Sequence, residues 1–313
     1  MKTVDGDDVF AVVENMGTFG YDNILPNLQF RYEIDGQTIL RAAFTGTVGR
    51  PQYEKASPIS VLEYEELPPD DVISPGFENI GELEIGNPEL SPYEAINFDL
   101  AIEHYLQSGG VVSAGVFWKD IDNPIYEFED QQDNVTYNGI GFDSLSTTSF
   151  QNAPSATIKG VELAAQIPFT TFFEDSFFDG FGLDVNATFI SSDVTIFDRE
   201  MDNLPFFRQP SEIYNVAFYY QKHGFAARIA WNYQDESLRR LSGNSDFDRW
   251  DDTREFTDIQ ASYNINDNYT LYINWQNIFD EEKIQTYGRS TNRLRSGEFY
   301  GSYVRAGVRF NWR

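Results

Sequence analysis

The segment Tyr300-Gly301-Ser302-Tyr303-Val304-Arg305-Ala306-Gly307-Val308-Arg309-Phe310-Asn311-Trp312 decides the fold. Read with a period of two, Tyr300, Ser302, Val304, Ala306, Val308, Phe310 and Trp312 share one face, and Gly301, Tyr303, Arg305, Gly307, Arg309 and Asn311 share the other. Successive side chains of a strand point to opposite faces, so this is a β-strand with one apolar and one wet side. The same split recurs upstream. Val161, Leu163, Ala165 and Ile167 oppose Gly160, Glu162, Ala164 and Gln166, and Leu183, Val185, Ala187 and Phe189 oppose Gly182, Asp184, Asn186 and Thr188. Tyr269, Leu271, Ile273 and Trp275 oppose Thr270, Tyr272, Asn274 and Gln276. Helical periods are nearly absent. The pattern predicts an all-β chain of about eleven strands, starting near Leu25, Thr38, Ala95, Val111, Ala156, Phe181, Ile213, Phe225, Phe256, Tyr269 and Glu298.

Composition narrows the function classes. Aromatics make up 16% of residues while the hydrophobic fraction is 41%, so apolar groups are numerous but diluted by polar neighbours, as half-wet strands require. A net charge of -28 would repel a phosphate backbone and excludes nucleic-acid binding. With no Cys there is no disulfide, thiol nucleophile or zinc knuckle. No run approaches the ~18 apolar residues of a membrane-spanning helix, but a barrel strand needs only about 9 to 11. The opening Met1-Lys2-Thr3-Val4-Asp5-Gly6-Asp7-Asp8 is acidic and has no apolar signal core.

The connections alternate in length. Asp35-Gly36, Gln107 to Gly110, Lys222-His223-Gly224 and Asn266-Asp267-Asn268 read as tight hairpin turns, where Gly, Asn and Asp tolerate positive φ. Between them lie long polar stretches, roughly 51–92, 129–154, 192–210, 236–254 and 280–296. Short turns on one side and long loops on the other are the asymmetry of an antiparallel transmembrane β-barrel, with the turns periplasmic and the loops extracellular. The phenylalanine-rich stretch 168–180 falls where a short turn is expected and reads as an aromatic interface anchor.

Candidate ligand contacts come from two places. Glu63, Glu65 and Asp70 belong to a loop with ten carboxylates against the single base Lys55; it is either an acidic vestibule for cationic or metal-bearing ligands or a solvated loop. Asp99, Glu162, Asp184, Arg228, Arg305 and Arg309, with Glu103, fall on wet faces, where they contact a passing ligand or pair across strands. Asp246, Asp248, Asp251 and Asp252 carry oxygen ligands but lack an EF-hand spacing. His104 and His223 are too far apart for a metal or triad arrangement and read as structural. Trp118, Trp231, Trp275 and Trp312 sit near strand ends and read as interfacial anchors rather than sugar-stacking platforms. No catalytic residue, metal site or cofactor emerges.

Several segments resemble the TonB-dependent receptors of bacterial outer membranes. Asn23-Ile24-Leu25-Pro26-Asn27-Leu28-Gln29-Phe30-Arg31-Tyr32 with Leu40-Arg41-Ala42-Ala43-Phe44 is similar to a mid-barrel hairpin of that family, and Gly86-Asn87-Pro88-Glu89-Leu90 to a loop-to-strand motif. Ser113-Ala114-Gly115-Val116-Phe117-Trp118, Asn277-Ile278-Phe279-Asp280-Glu281 and Arg305-Ala306-Gly307-Val308-Arg309-Phe310 resemble later strands. The resemblance implies that residues 1–313 are the C-terminal half of a 22-strand barrel, without the plug domain, TonB box and signal peptide. Family members end on an aromatic, whereas here Arg313 follows Trp312. It further implies a Gram-negative outer-membrane location and TonB-energised uptake of a siderophore, vitamin or oligosaccharide. The partners would be lipid, a small-molecule nutrient and the TonB complex acting through the plug. The competing reading is a soluble acidic β-rich carbohydrate-binding module.

Overall fold

The computed structural model describes residues 2–4, 7–12, 22–67, 76–197, 199, 203–289 and 293–311. In chain order the strands are β1 (Lys2–Val4), β2 (Asp7–Val12), β3 (Asn27–Glu33), β4 (Thr38–Gly49), β5 (Ser60–Glu66), β6 (Asn79–Ile85), β7 (Tyr93–Tyr105), β8 (Val111–Asp122), β9 (Ile125–Tyr137) and β10 (Ile140–Asn152). They continue as β11 (Ser155–Pro168), β12 (Phe181–Thr195), β13 (Glu212–Lys222), β14 (Phe225–Gln234), β15 (Ser237–Ser242), β16 (Arg249–Asp251), β17 (Arg254–Asn264), β18 (Tyr269–Gln276), β19 (Lys283–Tyr287), β20 (Leu294–Glu298) and β21 (Tyr303–Phe310).

These strands form two sheets. The first, here the wall, has eleven strands in the order β21-β18-β17-β14-β13-β12-β11-β8-β7-β4-β3. Strands adjacent in this order run antiparallel, and they correspond one for one to the eleven predicted strands. One start is corrected: Glu298 ends β20, and the last wall strand begins at Tyr303. Leu294–Glu298 pairs instead with β19, so its alternation belongs to the other sheet.

The predicted turns close the wall hairpins. His223 (φ 53°) and Gly224 (φ 77°) form a two-residue turn whose left-handed backbone matches the twist of β13 and β14. Asp35 Oδ1 accepts from the backbone N–H groups of Gln37 and Thr38 at 2.8 and 2.6 Å, and Asn266 Oδ1 does the same for Asn268 and Tyr269. His104 is occupied locally, its Nδ1 3.0 Å from Thr38 Oγ1. Stretch 168–180 forms two 3-10 turns, Phe169–Thr171 and Phe177–Gly180, the second capped by the Ser176 side chain.

The long connections depart from the sequence expectation. Among the described residues all but the one between β12 and β13 carry strands, which together with β1 and β2 form a second sheet in the order β1-β2-β5-β6-β10-β9-β15-β16-β19-β20. This cap contains two parallel junctions, β6 with β10 and β9 with β15, that join different connections to one another. Their polarity hid them, because a cap strand faces water on one side and carries Ser, Thr, Gln and Glu there.

Register separates the two faces of the wall. Ile96, Phe98, Leu100 and Ile102 of β7, Val116 and Trp118 of β8, Val161 and Leu163 of β11, and Phe218, Ile229, Leu271, Ile273, Trp275, Val304 and Val308 on the remaining strands are all exposed on one side. So continuous an apolar surface exceeds what soluble monomers show and suits hydrocarbon. The packed core sits elsewhere. Strands β7, β8, β11 and β12, of 12 to 15 residues, outrun a bilayer, and their ends bury Ala95, Ile121, Ala156, Ile158 and Val194 against Tyr126, Leu238, Leu241 and Trp250 of the cap. A second cluster, Leu62, Leu83, Phe142 and Leu145, holds β5, β6 and β10 together. Burying each such side chain stabilises by about 1.5 to 3 kcal/mol.

Candidate functional site

On the wall's inner face the sequence-predicted residues share one side. Tyr219, Arg228, Gln260, Asn274 and Arg305 stand in a single lateral rung across β13, β14, β17, β18 and β21. Asp184 lies 3.8 Å from Arg228, and its second oxygen, Oδ1, is buried with no hydrogen bond. Arg309, opposite Thr270, joins Asp184, Tyr219, Arg228, Gln260 and Asn274 around a cavity of about 470 Å³. Asp99 and Glu162 occupy the same face further round, opposite Phe117 and Gly115 of β8. The structure brings Asp184 and Arg228 together and leaves Asp99 and Glu162 apart from them. Glu103, on that face, is instead engaged by Arg41 at 2.8 Å.

Glu63 and Glu65 are in the cap, on β5, and Asp70 lies outside the described residues. Glu63 lines a cavity of about 560 Å³ with Glu54, Glu82, Glu84, Glu129, Ser146, Thr148, Arg240, Arg249 and Arg295. Its floor is one face of the cap sheet: Glu63 opposes Glu82, Glu84 opposes Thr148, and Thr148 opposes Glu129. These carboxylates thus stand on an ordered sheet face.

A charge cluster missed from sequence adjoins this cavity: its members Glu129, Arg240 and Arg249 line it, while Glu127, Arg208 and Lys55 line a neighbouring one. Glu127 accepts from Arg240 Nε at 2.6 Å, Arg208 Nη2 at 2.9 Å and Lys55 Nζ at 3.4 Å. Burial pushes its carboxyl up, but Arg240, Arg208 and Lys55 outweigh that and hold it below the ordinary carboxylate range. Glu129 accepts from Arg249 Nη2 at 2.6 Å and from Ser146 Oγ at 3.0 Å. Burial lowers the Arg249 guanidinium; Glu129 opposes that shift, and Arg295 and Arg240 reinforce it. These partners are up to 120 residues apart in sequence, a juxtaposition no local spacing reveals. The one legible signal was Arg239-Arg240, a basic pair in an acidic chain.

A further cavity of about 460 Å³ lies where the wall's inner face meets the cap. Tyr93, Tyr126, Phe206 and Phe207 line it together with Lys55, Lys119, Arg208 and Arg239, and Tyr126 stacks on Phe207 with centroids 5.4 Å apart. Buried Asn97 fixes the strand register beside it, donating to Thr45 O at 3.1 Å and Thr47 Oγ1 at 3.2 Å. Flat apolar surfaces beside fixed cations suit a ligand with aromatic or apolar bulk and anionic groups. The aspartate cluster is otherwise employed: Asp248 is gripped by Arg199 at 2.7 Å and Asp251 by Arg239 at 3.1 Å. Among the described residues no group of three or more His, Asp or Glu is placed to hold a metal ion.

A wall apolar outside and polar inside, topped by an ordered cap with ligand-sized cavities, defines the class of outer-membrane receptor barrels. The chain belongs to the TonB-dependent receptor family: residues 2–278 match the model described as "TonB dependent receptor-like, beta-barrel". That family comprises transport receptors, not enzymes. No curated protein matches the sequence significantly. Among solved structures, the siderophore receptor PirA of Acinetobacter baumannii aligns with a TM-score of 0.61 at 15% identity, over 92% of this chain and 41% of that one. A mutant of the ferric enterobactin receptor PfeA of Pseudomonas aeruginosa gives 0.58 at 15% identity over 92% and 40%, and the copper transporter OprC gives 0.59 at 16% over 92% and 40%. The chain thus spans about 40% of the length of the solved chains it resembles.

Proposed function

We propose that this chain forms the ligand-gathering cap and part of the wall of a Gram-negative outer-membrane receptor, one that takes up a scarce nutrient of the siderophore, vitamin or oligosaccharide class by TonB-energised transport. The cap faces the outside and the hairpin turns face the periplasm. The observation that carries this reading is the junction cavity, where Tyr126, Phe207, Arg208 and Lys119 meet above the wall's polar inner face. A ligand held there has a hydrophilic path along Asp99, Glu162, Asp184, Arg228 and Arg305. In this reading, too, β3 and β21, which among the described residues are each paired on one side only, are covered in the membrane by further strands, since unsatisfied backbone groups in hydrocarbon cost several kcal/mol each. A plug inside the completed barrel would couple it to TonB.

The test is uptake by cells whose only receptor for a given nutrient is the full-length protein. Accumulation should stop when TonB is deleted and fall with the double substitution Tyr126→Ala and Arg208→Gln. Undiminished uptake without TonB ends this reading.

A further inference from the structure

The cap face carrying Glu63, Glu82, Glu129, Arg240 and Arg249 contains two cross-strand pairs of like charge. Glu63 stands directly opposite Glu82 in the β5–β6 pairing, and Arg240 directly opposite Arg249 in the β15–β16 pairing. Like charges directly opposite on a sheet are destabilising. Glu129, between the two ends, bonds to Arg249 and lies 3.6 Å from Arg240, and among the described residues Glu63 and Glu82 have no basic partner. Two buried donor atoms on residues that line the same cavity, Arg249 Nε and Arg295 Nε, make no hydrogen bond, whereas Glu129 Oε2, which also lacks one, is ion-paired with Arg240. Arg249 itself is only 9% exposed. Buried polar atoms left unpaired cost about 1 to 3 kcal/mol each, more when charged, so the arginine end is completed by an acceptor, and the facing carboxylates Glu63 and Glu82 by a cationic donor.

From this geometry we infer that the cavity of about 560 Å³ in the cap is a binding site for a dipolar ligand, a short peptide-like zwitterion whose carboxylate meets Arg249 and Arg295 and whose ammonium meets Glu63 and Glu82. The guanidinium fork of arginine matches a planar carboxylate, and a pair of carboxylates suits a compact ammonium. Size agrees. From β6 through β10, β9 and β15 to β16 is four strand steps, which at about 4.8 Å each puts the backbones of the two ends on the order of 19 Å apart, and Arg249 reaches back over part of that distance to Glu129 of β9. Two or three extended residues, at roughly 3.3 Å each, fill what remains.

The inference deepens the receptor reading by naming a ligand chemistry. Binding in detergent needs neither TonB nor transport, so failure here and failure of uptake are read separately. The experiment is calorimetric titration of the full-length receptor in detergent with trialanine, N-acetyl-trialanine and trialanine amide. Trialanine should bind, and each blocked peptide should bind about tenfold or more weakly. Arg249→Gln should abolish discrimination against the amide, and Glu82→Gln discrimination against the acetylated peptide. Glu82→Gln should also raise the melting temperature of the ligand-free protein by removing the Glu63–Glu82 repulsion; being on the exposed end, it keeps the test decisive if Arg249→Gln fails to fold. No binding of trialanine, or equal binding of all three peptides, overturns the site.

Discussion

Wall and cap are both β-sheet, but they solve opposite solvent problems. In the wall, exposed Phe98, Val116, Leu163 and Ile273 line one face and the charges line the other, a split that suits hydrocarbon outside and water inside. In the cap the order reverses: Leu62, Leu83, Phe142 and Leu145 are hidden, and Glu63, Glu82 and Glu84 are exposed. The wall is held by its ladders, the cap by a small packed core and a network of arginines. Substitutions should tell the two apart.

The largest expected effect is in the cap. Phe142 is fully buried and meets Tyr64 edge-on at 5.7 Å, so Phe142→Ala should cost about 3 to 5 kcal/mol, more than a small cap can lose. Protease added to intact cells should then cut between β5 and β10 while the barrel band keeps its heat-modifiable mobility. Loss of that mobility would mean wall and cap are one cooperative unit. Next comes the wall. Arg at Val185, mid-strand and facing outward, should cost about 2 to 4 kcal/mol in a bilayer, and Arg at the neighbouring inward Asn186 far less; equal costs would reverse the lipid assignment.

Acid should loosen the cap first. Glu127 has a folded pKa below its unfolded value near 4.3, so its contribution is fully present above that pH and is lost as pH falls through the lower folded value. Protease sensitivity of the cap should therefore rise below about pH 4 before the wall band changes, and Glu127→Gln should flatten that dependence. The smallest effect belongs to Arg41→Gln: its partner Glu103 lies on the wall's open inner face, where an exposed pair contributes little, so stability should not measurably change.

How much of this was legible follows from the same contrast. The wall could be read because every one of its strands carries its own two-face pattern and its turns carry their own chemistry, as His223-Gly224 and Asn266 show. The inner-face positions Asp184, Arg228 and Arg305 followed from alternation alone. The cap could not be read in this way. β15 pairs with β9 through Leu241 and Phe128, and nothing local in either segment announces the other. The charges that matter most there, Glu127, Glu129 and Arg249, lay in stretches whose polarity looked like that of a solvated loop.

The parallel junctions that tie one connection to another have a consequence in time. Glu127 and Arg240 are 113 residues apart, and they meet only after the hairpins between them have paired. Closing so long a loop costs entropy that the wall ladders must recover beforehand, so contacts of this separation form late. During assembly the connections are therefore loose polar chains while the strands between them zip into place, and the cap sets last, on a frame already built.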